Sequence, residues 1–253
     1  MRGQSRRAVR GSVTSSSPRR ELRAEVEPAY DLRLLGAFSL RRNGVEVSLY
    51  PQSQRVVAFL ALRDHAVARS TLAGTLWPSR TRDRANAALR SAIWQIERRA
   101  RGVVETRGTR IELGTHTRTD VAKLNEAIAR SDAGGDRDVP ASSTFCADLL
   151  PDWDEDWLLF ERERLRQRRL HALEHLCEVH TSGGRFGNAI DAGLAAIAGE
   201  PLRESAHRVL IEAYLAEGNI NEARRQLDNL SHLLHVELGI KPSAELSRLV
   251  GRP

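Results

Sequence analysis

The sequence predicts an α+β amino-terminal domain followed by an all-α domain of paired helices. Three observations carry this. Two turn signals, Asn43-Gly44 and Gly108, each lie between β-prone runs and bracket a stretch with helical periodicity. In the carboxy-terminal part, a shift of 34 residues superposes Leu176 on Leu210, Gly184 on Gly218 and Ala189 on Ala223. That is the period of an antiparallel helix pair. Finally, the charge changes sign along the chain. Residues 30–118 carry 16 Arg against 7 acids, whereas residues 119–253 carry 16 basic against 23 acidic residues. A basic module joined to an acidic one suits a polyanion on one side and a protein on the other.

The elements follow in order. Residues 1–29 lack periodicity and hold seven Arg among Ser and Glu, which predicts a disordered basic tail. DLRLLGAFSL and VEVSL flank Arg41-Arg42-Asn43-Gly44, a hairpin. SQRVVAFLALRD places Val56, Val57, Phe59 and Leu60 on one side of a helix, with Ser53 as the expected N-cap. RSTLAGTLWP reads as a short helix capped by Ser70 and ended before Pro78. Thr81 then caps a helix over 82–99, with Asp83 in its first turn. VVETRG and TRIELG form a second hairpin around Gly108. Hairpin, three helices, hairpin is the order of a winged helix. Its third helix enters the major groove of DNA and its terminal hairpin is the wing.

The helix over 82–99 is two-faced. Ala85, Leu89, Ala92, Ile93 and Ile96 recur at steps of three and four and form the core stripe. Arg84, Ala87, Arg90, Ser91, Trp94 and Arg98 lie on the other side, which reads as a basic face with no acid. Arg84 and Arg90 are long enough to reach base edges, and an arginine on guanine is worth about 1–3 kcal/mol of discrimination. Ala87 and Ser91 permit close approach. Arg107 and Arg110 in the wing are placed for phosphate or minor-groove contact. Trp94 is expected to lie half-buried under the wing. The candidate DNA-binding residues are therefore Arg84, Ala87, Arg90, Ser91, Trp94, Arg107 and Arg110.

Beyond residue 120 the pattern is helical. VAKLNEAIAR (121–130) precedes a loop at 131–143, SDAGGDRDVPASS. A long helix starts near Asp154, with Leu158, Leu165, Ala172 and Val179 as one buried stripe. Glu161–Arg164 and Glu163–Arg166 are spaced i, i+3 on its charged face. The 34-residue repeat then predicts tetratricopeptide-like helix pairs. Gly184 and Gly218 sit at tight turns, Ala189 and Ala223 sit where helices touch, and Pro201 lies between pairs. The helix from 156 and the segment 244–250 are expected to cap the stack. The domains are read as 1–29 tail, 30–120 winged helix and 121–253 helical domain.

On these residues the chain resembles a known family. LLGAFSLRRNGVEVSL, LAGTLWP and ALRSAIWQIERR are similar to the DNA-binding half of the Streptomyces antibiotic regulatory proteins (SARP). LLPDWDEDWLLFERERLRQRRLHALEHL and GEPLRESAHRVLIEAYLAEGNINEARRQLDNLSHLLHVELGIKPSAEL resemble that family's bacterial transcriptional activator domain. The resemblance spans about residues 31–250. It implies an OmpR-type winged helix plus a tetratricopeptide-like domain. It also implies an activator that binds direct repeats in double-stranded DNA near promoters, often of secondary-metabolite genes such as those for antibiotics, and recruits RNA polymerase. Self-association of the helical domain would give a homo-oligomer on DNA. The chain contains no G-x-x-x-x-G-K-[ST] loop and resembles the small, stand-alone class.

Other chemistries lack their motifs. His171 and His175 are spaced for zinc, but HALEH has no Glu after the first His, and no third ligand is indicated. Cys146 and Cys177 lie far apart and neither sits in C-x-x-C. No nucleophile motif or cofactor site is visible, so no enzyme and no cofactor are expected. No apolar run is long enough for a membrane span, and no secretory h-region follows the basic start, so the expected location is the cytoplasm, at the nucleoid. A response-regulator output module is disfavoured because no receiver precedes Asp31. The remaining alternative is a tetratricopeptide adaptor whose basic domain binds an acidic protein.

Overall fold

The computed structural model describes residues 30–132 and 147–251. The tail read at 1–29, the loop from residue 133 and Cys146 lie outside the described residues. The amino-terminal part opens with β1 (Tyr30–Arg33), β2 (Ser39–Arg42) and β3 (Val45–Glu46). At the expected hairpin, Asn43 and Gly44 have φ of 49° and 82°. Both values are left-handed, as a type I′ turn requires, and an Asn-Gly pair reaches them at least cost. The sheet order is β3-β2-β1-β7, in which β7 (Thr117–Thr119) runs parallel to β1. This parallel strand has no hairpin partner in sequence, so pattern reading did not find it.

Three helices follow: α1 (Pro51–Ala61), α2 (Arg69–Leu76) and α3 (Arg82–Arg99). Two expected caps are corrected. Pro51 stands at the start of α1, where its fixed φ suits the first turn, so the N-cap is Tyr50. Ser53 is buried inside the helix and its hydroxyl donates to the Ala92 carbonyl of α3 at 3.2 Å. Ser70 does not cap α2 either. The chain runs from the two-residue strand β4 (Val67–Ala68) directly into the helix, and the Arg69 N–H is satisfied by the Thr109 carbonyl at 2.9 Å. Thr81 holds the N-cap position of α3 without a side-chain hydrogen bond. The wing is the hairpin β5 (Val104–Arg107) and β6 (Arg110–Leu113), and β4 extends it to three strands. The winged-helix order stands, with β4 and β7 added.

The carboxy-terminal part is helical: α4 (Asp120–Asp132), α5 (Asp156–Ser182), α6 (Phe186–Gly199), α7 (Glu204–Glu217), α8 (Ile220–Leu238) and α9 (Ala244–Val250). The 34-residue repeat corresponds to the pairs α5–α6 and α7–α8. Gly184 and Gly218 take φ of 69° and 92° at the two turns, and Ala189 and Ala223 are fully buried. Of the expected α5 stripe, Leu158, Leu165 and Ala172 are buried, while Val179 is only partly covered. Both expected i, i+3 ion pairs form, at 2.9 Å for Glu161–Arg164 and 3.0 Å for Glu163–Arg166. A second apolar cluster of Ile211, Ala223, Leu230, Leu234, Leu246 and Val250 seats α9 on α7 and α8.

One continuous core runs from Tyr30 through Leu150 and Leu158 to Ala213. Several contacts close the seam between the two parts. Leu35 bridges Leu149, Phe38 stacks on Trp153 with centroids 5.9 Å apart, and Phe59 meets Trp157 edge-on at 5.2 Å. Arg55 bonds Glu155 at 2.7 Å, and Glu155 also accepts from the Trp157 indole at 3.0 Å. Buried Glu161 is paired by both Arg63 and Arg164. Asp120, at the start of α4, accepts the Leu34 and Leu35 N–H groups at 3.0 and 2.9 Å.

Two predictions follow from these contacts. A Cβ built on Gly114 would lie 1.9 Å from the Gly102 carbonyl oxygen, a backbone atom. Gly114→Ala should therefore destabilise the chain by about 1–3 kcal/mol or more, read as a lowered denaturant midpoint. The second concerns pH. Burial pushes the His207 imidazole below its ordinary value; its Nε2 donates to the Pro201 carbonyl at 2.9 Å and its Nδ1 accepts from Gln226 at 2.7 Å. Burial pushes the Glu174 carboxyl upward, but hydrogen bonds from Arg203 and Ser205 outweigh it and leave the group below its ordinary value. The unfolded chain thus binds more protons at both sites. Stability should fall as pH drops below 6.5 through His207, and again below 4.5 through Glu174. Thermal melts against pH should lose the upper step in His207→Gln.

Candidate nucleic-acid interface

Helix α3 is buried on one side by Ala85, Ala88, Leu89, Ala92 and Ile96. Ile93, expected in that stripe, is only partly covered, and Ala88 takes its place. This packing against α1 and α2 fixes which side chains face outward. Arg84, Ala87, Arg90, Ser91 and Trp94 are all exposed on the far side. The expectation of an acid-free face is corrected: two exposed carboxylates lie on it, Asp83 in the first turn and Glu97 in the last. Asp83 suits the positive end of the helix dipole, and Arg98 and Arg99 suit the negative end.

Trp94 is not under the wing. It is 58% exposed, with the Arg98 guanidinium over its ring at 4.8 Å. The reason is rotational: Trp94 stands opposite the Ala85–Ile96 stripe, while the wing leaves α3 and pairs with β4. The wing arginines differ from each other. Arg107 is exposed but held by Glu112 at 2.7 Å and Glu105 at 3.4 Å. The Thr115 N–H keeps the Glu105 carboxyl below its ordinary range; burial opposes this and Arg107 adds to it. The Arg110 guanidinium donates to the Ala66 carbonyl at 2.8 Å, which holds its head at the base of the wing. The fold thus brings Arg84, Ala87, Arg90, Ser91 and Trp94 onto one surface and places Arg107 and Arg110 separately on the hairpin.

Some neighbours were missed in sequence. Tyr50, at the start of α1, is 50% exposed and lies under the Arg99 guanidinium at 4.5 Å. Arg99 also donates to the Tyr50 hydroxyl at 3.0 Å and the Ser48 carbonyl at 3.3 Å. The two residues are 49 positions apart, so no local pattern announces the pair. The signal available was a pair of arginines closing α3. In the helical part, His171 and His175 sit near Glu174 and Glu178, at 3.6 and 4.0 Å. Among the described residues there is no group of three or more His, Cys, Asp or Glu that could hold a metal. No described helix is long and apolar enough to cross a membrane.

Comparison with known proteins adds two findings. Residues 139–252 match the family model of the bacterial transcriptional activator domain. The fold is similar to that of the solved structure of Mycobacterium tuberculosis EmbR in complex with a low affinity phosphopeptide, with a TM-score of 0.70 and 23% identity. The match covers 88% of this chain and 64% of the EmbR chain, so this chain spans less than two thirds of the length of that chain. No curated protein matches.

Trp94 is exposed, whereas Trp77 is buried and Trp153 and Trp157 are half-buried. Acrylamide should therefore quench one accessible component of the fluorescence, and Trp94→Phe should abolish that component.

Proposed function

We propose that this chain, whose residues 139–252 match the bacterial transcriptional activator domain, is a transcriptional activator of the Streptomyces antibiotic regulatory protein type that reads DNA through α3. The observation that carries this reading is the exposed row of Arg84, Ala87, Arg90 and Ser91 on a helix whose other side is fully packed. Long donors alternate with small residues there, so a base edge can come close while two guanidiniums reach past it. Residues 30–120 supply the DNA-binding unit in this reading, and 121–253 the activator unit. The targets are direct repeats near promoters of secondary-metabolite genes, spaced by whole helical turns so that two copies sit on one face of the duplex. The helical domain contacts a second copy and RNA polymerase. The protein works in the cytoplasm, at the nucleoid, without a catalytic site.

The test is a salt titration of the full chain on DNA fragments from its own genomic neighbourhood against random-sequence duplex. One fragment should be preferred at moderate salt, and its footprint should be a direct repeat. Arg90→Ala should cost about 1–3 kcal/mol on that fragment and relax one base position. Arg107→Ala should weaken all sequences alike. Its salt slope should change by less than one full contact, because Glu105 and Glu112 already neutralise part of its charge. Equal loss on every sequence for Arg90→Ala removes the base-reading role. Weak, unselective binding that vanishes at moderate salt favours instead an adaptor with an acidic protein partner.

A further inference from the structure

We propose that Tyr50, Trp94, Arg98 and Arg99 form a clamp for the phosphodiester backbone of duplex DNA, at the end of α3 away from its N-terminus. This rests on the reading of α3 as the DNA-facing helix, gives Trp94 a specific part in it, and extends it to Tyr50, Arg98 and Arg99, which the candidate set does not include. The four residues, with Gln95, line an open hollow of about 420 Å³. None of these lining residues is acidic, and each of their side chains carries at least one hydrogen-bond donor. Two cations at a hollow whose lining holds no carboxylate suit a phosphate row, and exposed Glu97 lies outside that lining.

The aromatic rings explain how the cations are held. Trp94 and Tyr50 are 58% and 50% exposed, so neither is there to fill a core. Each carries a guanidinium on its face instead, at 4.8 Å for Arg98 and 4.5 Å for Arg99. Stacking restrains a long side chain yet leaves its in-plane N–H groups at the edge, where a phosphate can accept two of them. Less rotamer freedom is then lost on binding. Arg98 has no hydrogen bond or ion pair with any described residue other than the ring contact, so its donors are available.

Helix length places the clamp on the backbone. From Arg84 to Arg98 the outward face runs about 21 Å at 1.5 Å per residue. The major groove is only about 12 Å wide. With Arg84–Ser91 facing bases and the helix axis laid across the groove, the last two turns overhang it and meet the flanking phosphates.

The full chain is titrated with salt on random-sequence duplex and on its preferred fragment. Arg98→Gln should lower affinity severalfold on both at low salt, flatten the log–log salt slope by about 0.9, and leave base preference unchanged. Trp94→Leu keeps the charge but removes a platform, so it should weaken binding with little change in slope. Arg99 also steadies the start of α1, so a second measurement leaves the protein intact. Neutral methylphosphonates at the phosphates flanking the footprint should weaken the native chain and have little further effect on Arg98→Gln. If Arg98→Gln leaves affinity and slope unchanged while Arg90→Ala still weakens binding, the clamp is wrong and the DNA reading stands. If Arg98→Gln alters base preference, the residue reads bases and the clamp is overturned. If the native chain binds no duplex, both readings fall.

Discussion

The seam between α1 and the start of α5 is the constraint on which the rest of the molecule depends. Its energy is mainly apolar, from Leu149, Leu150 and Leu158 and the Phe38–Trp153 and Phe59–Trp157 ring pairs. Its register is ionic. Arg55 can satisfy Glu155 only where the Trp157 indole also reaches that carboxylate, and Arg63 can reach Glu161 only in the same register. Arg162 adds donors to the carbonyls of Leu149, Leu150 and Trp153, which ties the incoming strand of chain to the helix it precedes. A buried pair of this kind specifies geometry more than it adds stability. The helical array therefore has one orientation relative to α3 and the wing.

That orientation separates the two faces of the protein. The basic face of α3 and the hollow beyond it lie on the amino-terminal module, whereas the acidic surplus lies on the helical array. The array itself is closed by internal ion pairs. Arg203, in the α6–α7 turn, joins Glu174 of α5 at 2.7 Å, and Arg208 bridges Glu178 and Glu212 at 3.2 and 3.0 Å. Many of its charges are thus spent on each other, while the arginines of α3 are largely left for a partner.

What the sequence made legible depended on the range of the interaction. Asn43-Gly44, Gly108 and the apolar stripe of α3 act within a few residues, and each was readable. The 34-residue repeat was readable because the same packing problem recurs twice. The β1–β7 pairing was not, since Tyr30 meets Thr117 across the whole winged helix. The caps at Ser53 and Ser70 failed for a related reason. A serine before an apolar run looks like a cap, but Pro51 started one helix earlier, and the β4–β6 ladder supplied the other with a backbone partner. Trp94 was misplaced because its hydrophobicity argued for cover, while its angle on the helix decided against it. Of the candidate interface, the α3 row was visible in sequence; Tyr50 and its pairing with Arg99 needed the fold.

Where α5, α6 and α7 converge, Cys177 is fully buried beside Gly193, and its thiol donates to the Val209 carbonyl at 3.4 Å. Burial pushes that thiol up to about 12. Alkylating agents and oxidants need an exposed thiolate, and at neutral pH the closed array offers neither. Covalent labelling of Cys177 can then proceed only as fast as three helices part. The residue is a built-in clock for the breathing of the helical array, and anything that tightens the array on a partner will slow it.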